Sequence, residues 1–196
     1  MKKSLKLIVL VALIIVMSVP NMVFAQTESR TENFFKTFSE ENYHMKAKTT
    51  ESGMDVIIET FIQGDRSATI MTRDSESSRI IQKDNKMYMI MDYAKLVIVT
   101  ALPPGMENKT LQIENSKFTG TGTEDFNGKN LPYDEFLGEE DIKARYFYEG
   151  DKLVGLRNVL PDSQTYDITI LELDQIIPNG TFDIPSDYEI QDMTEY

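Results

Sequence analysis

Residues 54–73 decide the fold, and they read MDVIIETFIQGDRSATIMTR. Apolar and polar residues alternate along much of both halves, and Gly64-Asp65 separates the halves as a short turn. A period of two is typical of a strand with one buried face, and a glycine-containing turn between two such runs is typical of a hairpin. We therefore predict two antiparallel strands, at 54–62 and 66–73.

The same rhythm extends in both directions from this hairpin. Upstream, the apolar residues Tyr43, Met45 and Ala47 alternate with polar ones, and downstream the turn residues recur about every ten positions. Asn127-Gly128 is a strong signal for a type I′ hairpin turn. A sheet of so many hairpins must curl, because twist accumulates from strand to strand. We predict a mostly β protein of the α+β class, with a single curved antiparallel sheet of about ten strands that forms an incomplete barrel.

An amphipathic helix is predicted ahead of the strands. Ser29 and Glu32 have the spacing of a capping box, and three phenylalanines, Phe34, Phe35 and Phe38, follow on one helical face. The predicted helix spans residues 30–41 and packs its phenylalanines on the sheet.

A lid segment is predicted in the middle of the chain, where Pro103-Pro104-Gly105 interrupts the strands. We expect residues 101–115 to form a loop or a short helix. This segment and helix 30–41 are the two covers that the sequence offers for the apolar face of the sheet, and both are small. An apolar face with too little cover leaves a groove that can bind an amphiphile.

The first 25 residues have the pattern of a secretory signal peptide. A basic start precedes the apolar run Leu7–Val19, and Val23-Phe24-Ala25 places small residues at the −3 and −1 positions. We predict cleavage after Ala25 and one mature domain, residues 26–196, that is secreted or associated with the cell wall or envelope. The alternative is an uncleaved N-terminal anchor. The apolar run is shorter than a bilayer requires, which favours a cleaved signal peptide over an anchor, and after cleavage we expect no stable membrane span.

The composition excludes several classes of function. The 196 residues carry a net charge of −12, with no cysteine and one histidine. The acidic balance argues against nucleic acid as a partner, and the absence of cysteine excludes disulfides, thiol catalysis and cysteine-ligated metals. No serine-nucleophile or phosphate-loop motif is present. We therefore expect no enzymatic activity, no cofactor and no metal site.

Three stretches carry a resemblance to a known family. They are GTGTEDFNGK at 120–129, ARYFYEGDKLVG at 144–155 and FDIPSDY at 182–188. With the order of helix, meander and proline-containing lid, the chain resembles the LolA/LolB-like lipoprotein-carrier superfamily in its broad sense. The resemblance implies an incomplete antiparallel barrel whose concave, apolar side binds acyl chains or lipidated partners. Relatives serve as lipoprotein or glycolipid carriers, as sensors of envelope stress, or as adaptors in spore germination.

The stretch Met87-Tyr88-Met89-Ile90-Met91 places three thioethers on one side of a strand. Three interpretations are open: a site for Cu(I), a deformable wall for a flexible ligand, or plain core packing. The second interpretation predicts a ligand cavity. Its predicted lining residues are Phe34, Phe38, Tyr43, Met45, Met87, Met89 and Met91.

The remaining polar groups are interpreted as surface charge. His44 alternates with the apolar residues of its strand beside Lys46 and Lys48, and we predict that it is exposed. Acidic turns such as Glu139-Glu140-Asp141 lack the pattern of a calcium loop. The sequence thus predicts an exported, non-catalytic protein that holds a lipid, a lipidated peptide or another amphiphile. The alternative is an envelope or cell-surface interaction or adaptor module that uses the same fold without a ligand.

Overall fold

The structure is a computed structural model, and it describes residues 29–38, 42–74, 76–103 and 116–194. The predicted signal peptide, its cleavage site and most of the predicted lid lie outside the described residues. In the described part of the chain, no helix is long and apolar enough to cross a membrane.

One α-helix and twelve strands make up the described residues. They are α1 (Arg30–Thr37), β1 (Asn42–Glu51), β2 (Met54–Gln63), β3 (Arg66–Arg73), β4 (Glu76–Lys83), β5 (Lys86–Met91), β6 (Leu96–Ala101), β7 (Lys117–Phe126), β8 (Lys129–Leu137), β9 (Lys143–Glu149), β10 (Lys152–Val159), β11 (Thr165–Asp174) and β12 (Glu189–Asp192). Short 3₁₀ turns follow β5 and β8.

The strands follow the hydrogen-bonded order β12-β6-β5-β4-β3-β2-β1-β11-β10-β9-β8-β7, whose two ends are not paired within the described ranges. The predicted mostly β, open antiparallel sheet is therefore confirmed, with twelve strands rather than about ten. The strand β12, which has four residues and runs parallel to β6, was not predicted from the sequence. Asn127-Gly128 forms the predicted turn between β7 and β8, with both residues at positive φ.

The chain divides into two compact units. Unit 1 comprises residues 1–38 and 109–166, and it holds α1 and β7–β10. Unit 2 comprises residues 39–108 and 167–196, and it holds β1–β6, β12 and nearly all of β11. The single domain at 26–196 remains a prediction.

In unit 1, α1 begins where the sequence predicted it. The Ser29 hydroxyl accepts a hydrogen bond from the Glu32 amide (2.9 Å), and the Glu32 carboxylate accepts one from the Ser29 amide (2.8 Å). The helix ends at Thr37, not at residue 41, because Phe38 has an extended backbone (φ −84°, ψ 123°) that stops helical hydrogen bonding. Phe35 is buried against Tyr146 of β9, with ring centroids 6.1 Å apart.

In unit 2, the core lies on one face of β2–β6 under a cover that the sequence did not predict. Ile81, Ile90 and Val97 are fully buried there, and Phe182 packs into the same cluster. Phe182 belongs to residues 175–188, which we call the C-terminal strap. Three further strap residues pack on the cluster: Ile177, Ile184 and Tyr188.

Candidate functional site

The candidate site is the other face of β1–β6, opposite the Ile81/Ile90 core. Successive residues of a strand point to opposite faces, so the strand register assigns each side chain to a face. On this face the register aligns three rows of six residues. The first row is Tyr43, Ile62, Ser67, Gln82, Met87 and Thr100. The second is Met45, Thr60, Thr69, Ile80, Met89 and Ile98. The third is Ala47, Ile58, Met71, Ser78, Met91 and Leu96.

None of these positions carries a charged side chain, although 27% of the residues in the chain are charged. We call this surface the uncharged face. Charge returns in the next row, where Arg73 of β3 pairs in register with Glu76 of β4, and on β12, where Glu189 lies in register with Leu96. The Arg73 guanidinium also lies 3.8 Å from the Glu51 carboxylate. The uncharged face is therefore bordered by charge at one end.

The two halves of the uncharged face differ in burial. On β1 and β2, Tyr43, Met45 and Ile58 are buried. From β3 to β6 the apolar side chains are half-buried, including Met87, Met89 and Met91. Since Ile90, on the opposite side of the same strand, is fully buried, the three methionines do not belong to the main core. They form a deformable apolar surface.

The first row also contains polar groups. The Ser67 hydroxyl lies 3.4 Å from the Gln82 side-chain oxygen, and the Thr100 hydroxyl is buried without a hydrogen-bond partner among the described residues. An unpaired buried hydroxyl is costly, and a ligand's polar group is one way to satisfy it.

Five of the seven predicted cavity residues lie on this one face of unit 2. They are Tyr43, Met45, Met87, Met89 and Met91. The other two, Phe34 and Phe38, belong to unit 1, where their rings stack with centroids 5.5 Å apart. Whether the seven form a ligand cavity remains a prediction. Ile80 and Ile98 were missed, because only the strand register shows that they flank Met89.

The prediction that His44 is exposed is wrong. The residue is 6% exposed, and its ring stacks on Phe61 with centroids 4.6 Å apart. The start of β1 is buried on both faces, since Tyr43 and Met45 are buried on the other side. An alternating pattern of apolar residues indicates only one buried face of a strand, so it does not reveal that the His44 side of β1 is buried as well.

Unit 1 contains a cavity of about 670 Å³ beside the start of α1, lined by Arg30, Thr121, Thr123, Asp134 and Tyr148 among others. Several of its polar groups hold the helix. The buried Asp134 carboxylate accepts a hydrogen bond from the Thr31 amide (2.8 Å), and the Tyr148 hydroxyl donates one to the Thr31 hydroxyl (2.9 Å). We call the residues Thr31, Asp134 and Tyr148 the helix latch. Burial raises the pKa of the Tyr148 hydroxyl.

A second polar cluster holds the C-terminal strap in unit 2. The Arg79 guanidinium makes two contacts with the Asp92 carboxylate, at 2.7 and 3.2 Å, and the Tyr188 hydroxyl donates to the same carboxylate (2.9 Å). The guanidinium holds the pKa of Asp92 below its usual range. We call Arg79, Asp92 and Tyr188 the strap clamp. Tyr188 belongs to the strap, so its hydrogen bond to Asp92 ties the strap to the ion pair between Asp92 and Arg79.

Comparisons with known proteins bear on the fold. No family model and no curated protein matches the chain. A crystal structure of an uncharacterized conserved protein from Thermus thermophilus is similar, with a TM-score of 0.53, 4% identity, and coverage of 78% of this chain and 91% of that one. A crystal structure of MucB aligns with a TM-score of 0.46 and 7% identity, over 82% of this chain and 63% of that chain. At such low identity, the likeness to the Thermus protein shows the fold alone.

Proposed function

We propose that the protein is an exported, non-catalytic binding protein that holds an amphiphile against the uncharged face. The ligand class is a lipid, a lipidated peptide or another molecule with a long apolar part. The observation that carries the proposal is the absence of charge from three rows of side chains across six strands. The resemblance to LolA/LolB-like carriers and the predicted signal peptide belong to this proposal and agree with it.

The physical chemistry of the face suits a flexible apolar chain. The half-buried side chains on β3–β6 still expose apolar surface that a ligand can cover, and each methylene buried in this way contributes about 0.8 kcal/mol to the binding free energy. Methionine is unbranched and polarizable, so Met87, Met89 and Met91 can adapt to chains of different shape. The unpartnered Thr100 hydroxyl at one margin offers a hydrogen bond to an uncharged polar group of the ligand.

A second candidate function is an envelope or cell-surface interaction module. It is favoured by the exposure of two apolar residues, one in β12, the strand at one end of the strand order, and one directly after it. Ile190 is 57% exposed and Met193 is 49% exposed. Exposed apolar side chains near a strand end are suited to contacts with a protein partner.

Substitution of Met89 by glutamine tests the proposal. In a ligand-binding face the new amide stays hydrated, so we expect the free energy of unfolding to fall by less than about 1.5 kcal/mol. Affinity for a fluorescent fatty acid should fall at least tenfold, because a polar group then interrupts the apolar row. Fluorescence titration measures the affinity, and urea denaturation followed by circular dichroism measures the stability.

Ile190→Gln is the matched control, since it also puts glutamine in place of an apolar side chain, at a residue that is 57% exposed and in register with Val97 of the core side. We expect it to leave probe affinity unchanged. If the unaltered protein binds no fatty acid and native mass spectrometry of protein from its own envelope finds no retained lipid, the amphiphile proposal is wrong. The interaction module would then be the better account.

A further inference from the structure

The core-side face of β1, β2 and β11 brings carboxylates around the single histidine of the chain. In the strand register, His44 lies opposite Asp174 of β11, and Lys46 lies opposite both Glu172 of β11 and Glu59 of β2. All five residues belong to unit 2. They lie on the opposite side of the sheet from the uncharged face, so the inference is independent of the proposed function.

The contacts of His44 leave one ring nitrogen in an unusual setting. Its Nε2 atom lies 2.9 Å from Glu59 Oε1, so Nε2 carries the proton and donates to that carboxylate. In a neutral imidazole the other nitrogen, Nδ1, then carries a lone pair. That atom lies 3.4 Å from Asp174 Oδ1, which is also an acceptor. Two hydrogen-bond acceptors at this distance do not stabilise each other, whereas a metal ion bound between them would use both as ligands.

The geometry points to a metal ion. One ligand atom each from His44, Glu172 and Asp174 lies within 4.8 Å of the other two. Around a tetrahedral zinc ion with bonds of 2.0–2.1 Å, ligand atoms are about 3.3 Å apart. The Nδ1 to Oδ1 distance already matches this spacing. The Asp174 oxygen is held in place by the Ile176 amide, which donates to it at 2.8 Å.

The surrounding charges favour a divalent cation. The cluster holds three carboxylates, Glu59, Glu172 and Asp174, and the Lys46 ammonium lies 3.9 Å from the first and 4.0 Å from the second. With a neutral imidazole the cluster therefore carries a net charge of −2. Imidazole and carboxylate ligands together suit first-row divalent ions such as Zn²⁺, whereas Ca²⁺ and Mg²⁺ prefer oxygen alone.

We propose that His44, Glu172 and Asp174 form a binding site for a first-row divalent metal ion, with Zn²⁺ as the best fit. Glu59 is the positioning residue: its carboxylate accepts a hydrogen bond from Nε2–H and so directs Nδ1 at the ion, an arrangement common in zinc sites. Three protein ligands leave a coordination position for water. The bound ion links β1 to β11.

Isothermal titration calorimetry of the full chain tests this proposal, using ZnCl₂ as the probe after treatment with a chelator. We expect one Zn²⁺ per chain. Asp174→Asn and Glu172→Gln should each weaken binding at least tenfold, and Glu59→Gln should weaken it by about 10- to 100-fold. Affinity should also fall as the pH is lowered, because protons compete with the metal for Nδ1 and the carboxylates.

The design separates a metal site from general attraction to an acidic protein. The Asp174 and Glu172 side chains are 39% and 55% exposed, so their amide variants keep the fold, which circular dichroism verifies. Asp55→Asn is the matched control, since Asp55 lies elsewhere on β2 and pairs with Lys48 of β1. We expect this variant to leave the Zn²⁺ affinity unchanged. The proposal is overturned if the protein shows no saturable Zn²⁺ binding, or if the Zn²⁺ affinity is unchanged in both Asp174→Asn and Glu172→Gln.

Discussion

The two compact units cover their strands of the sheet by different means. Unit 1 uses a regular helix whose start is held by the helix latch, where Thr31, Asp134 and Tyr148 are each less than 5% exposed. Unit 2 uses an irregular segment, the C-terminal strap, held by a clamp in which the Arg79 and Asp92 side chains are 26% and 29% exposed. The first cover depends on buried polar groups, and the second depends on a partly hydrated ion pair and an inserted phenylalanine.

This difference determines where each cover is vulnerable. Removal of one partner from a buried hydrogen bond leaves the other without water, which costs about 1–3 kcal/mol. A partly exposed ion pair contributes less, with measured values of about 0.2–1 kcal/mol. The strap must therefore obtain most of its stability from apolar burial, and Phe182, which packs against the Ile81/Ile90 cluster, is its main anchor.

The largest effect is expected from Phe182→Ala. The residue is 6% exposed, and loss of a buried phenylalanine typically costs about 3–5 kcal/mol in the free energy of unfolding. Urea denaturation measures this loss, and hydrogen exchange by mass spectrometry should show faster exchange in β4–β6. Ile176→Ala, in the same strap but 71% exposed, is the control and should change stability by less than about 0.5 kcal/mol. Equal effects of the two variants would show that Phe182 does not anchor the strap.

The contrast between the covers also explains what the sequence could predict. The start of α1 was predictable because a capping box is a local signal, with Ser29 and Glu32 three residues apart. The end of α1 was not, because the extended backbone of Phe38 has no local sequence signature. The strap was missed because its apolar residues, including Phe182 and Tyr188, follow no period of two or 3.6. These residues cover the apolar core face of β2–β6, and that face exists only once the strands have paired.

Similar reasoning applies to the candidate sites. The alternation of Met87, Met89 and Met91 placed them on one face, because strand periodicity is local. That Ile80 and Ile98 lie beside Met89 follows only from the pairing register of β4, β5 and β6. This register cannot be predicted unless the exact ends of the strands are known. The environment of His44 was inaccessible to sequence reasoning, since Asp174 is 130 positions away along the chain and reaches it through the pairing of β1 with β11.

A smaller effect is expected from Tyr148→Phe, which removes the hydroxyl that donates to Thr31. We expect a loss of about 1–1.5 kcal/mol at pH 7, because one buried hydrogen bond is lost. Burial raises the folded-state pKa of Tyr148 above its unfolded value, so its contribution is complete below about pH 10 and is lost as the pH rises further. The variant should therefore lose less stability than the wild type above pH 10.

Two comparisons make this alkaline test specific. Burial raises the pKa of the neighbouring Tyr146 to about 12, so part of the alkaline loss should persist in the variant. Tyr93→Phe, at a residue that is 76% exposed, should leave both the stability and its pH dependence unchanged. If Tyr148→Phe shows the same alkaline loss as the wild type, the helix latch does not account for that loss.

The smallest effect is expected from Asp92→Asn in the strap clamp, about 0.5–1 kcal/mol at pH 7, because the Arg79 guanidinium loses a partly hydrated ion pair. That guanidinium holds the folded-state pKa of Asp92 below its unfolded value near 4. The contribution of the carboxylate is thus present above about pH 4 and is lost as the pH falls through the folded-state value. The stability difference between wild type and variant should disappear in acid, where both side chains are neutral.

Urea denaturation between pH 7 and pH 2 measures this stability difference, with Asp65→Asn in an exposed turn as the control. A difference that stays constant down to pH 2 would mean that the ionised Asp92 carboxylate does not account for it, and the strap clamp would then not be the counterpart in unit 2 of the helix latch of unit 1.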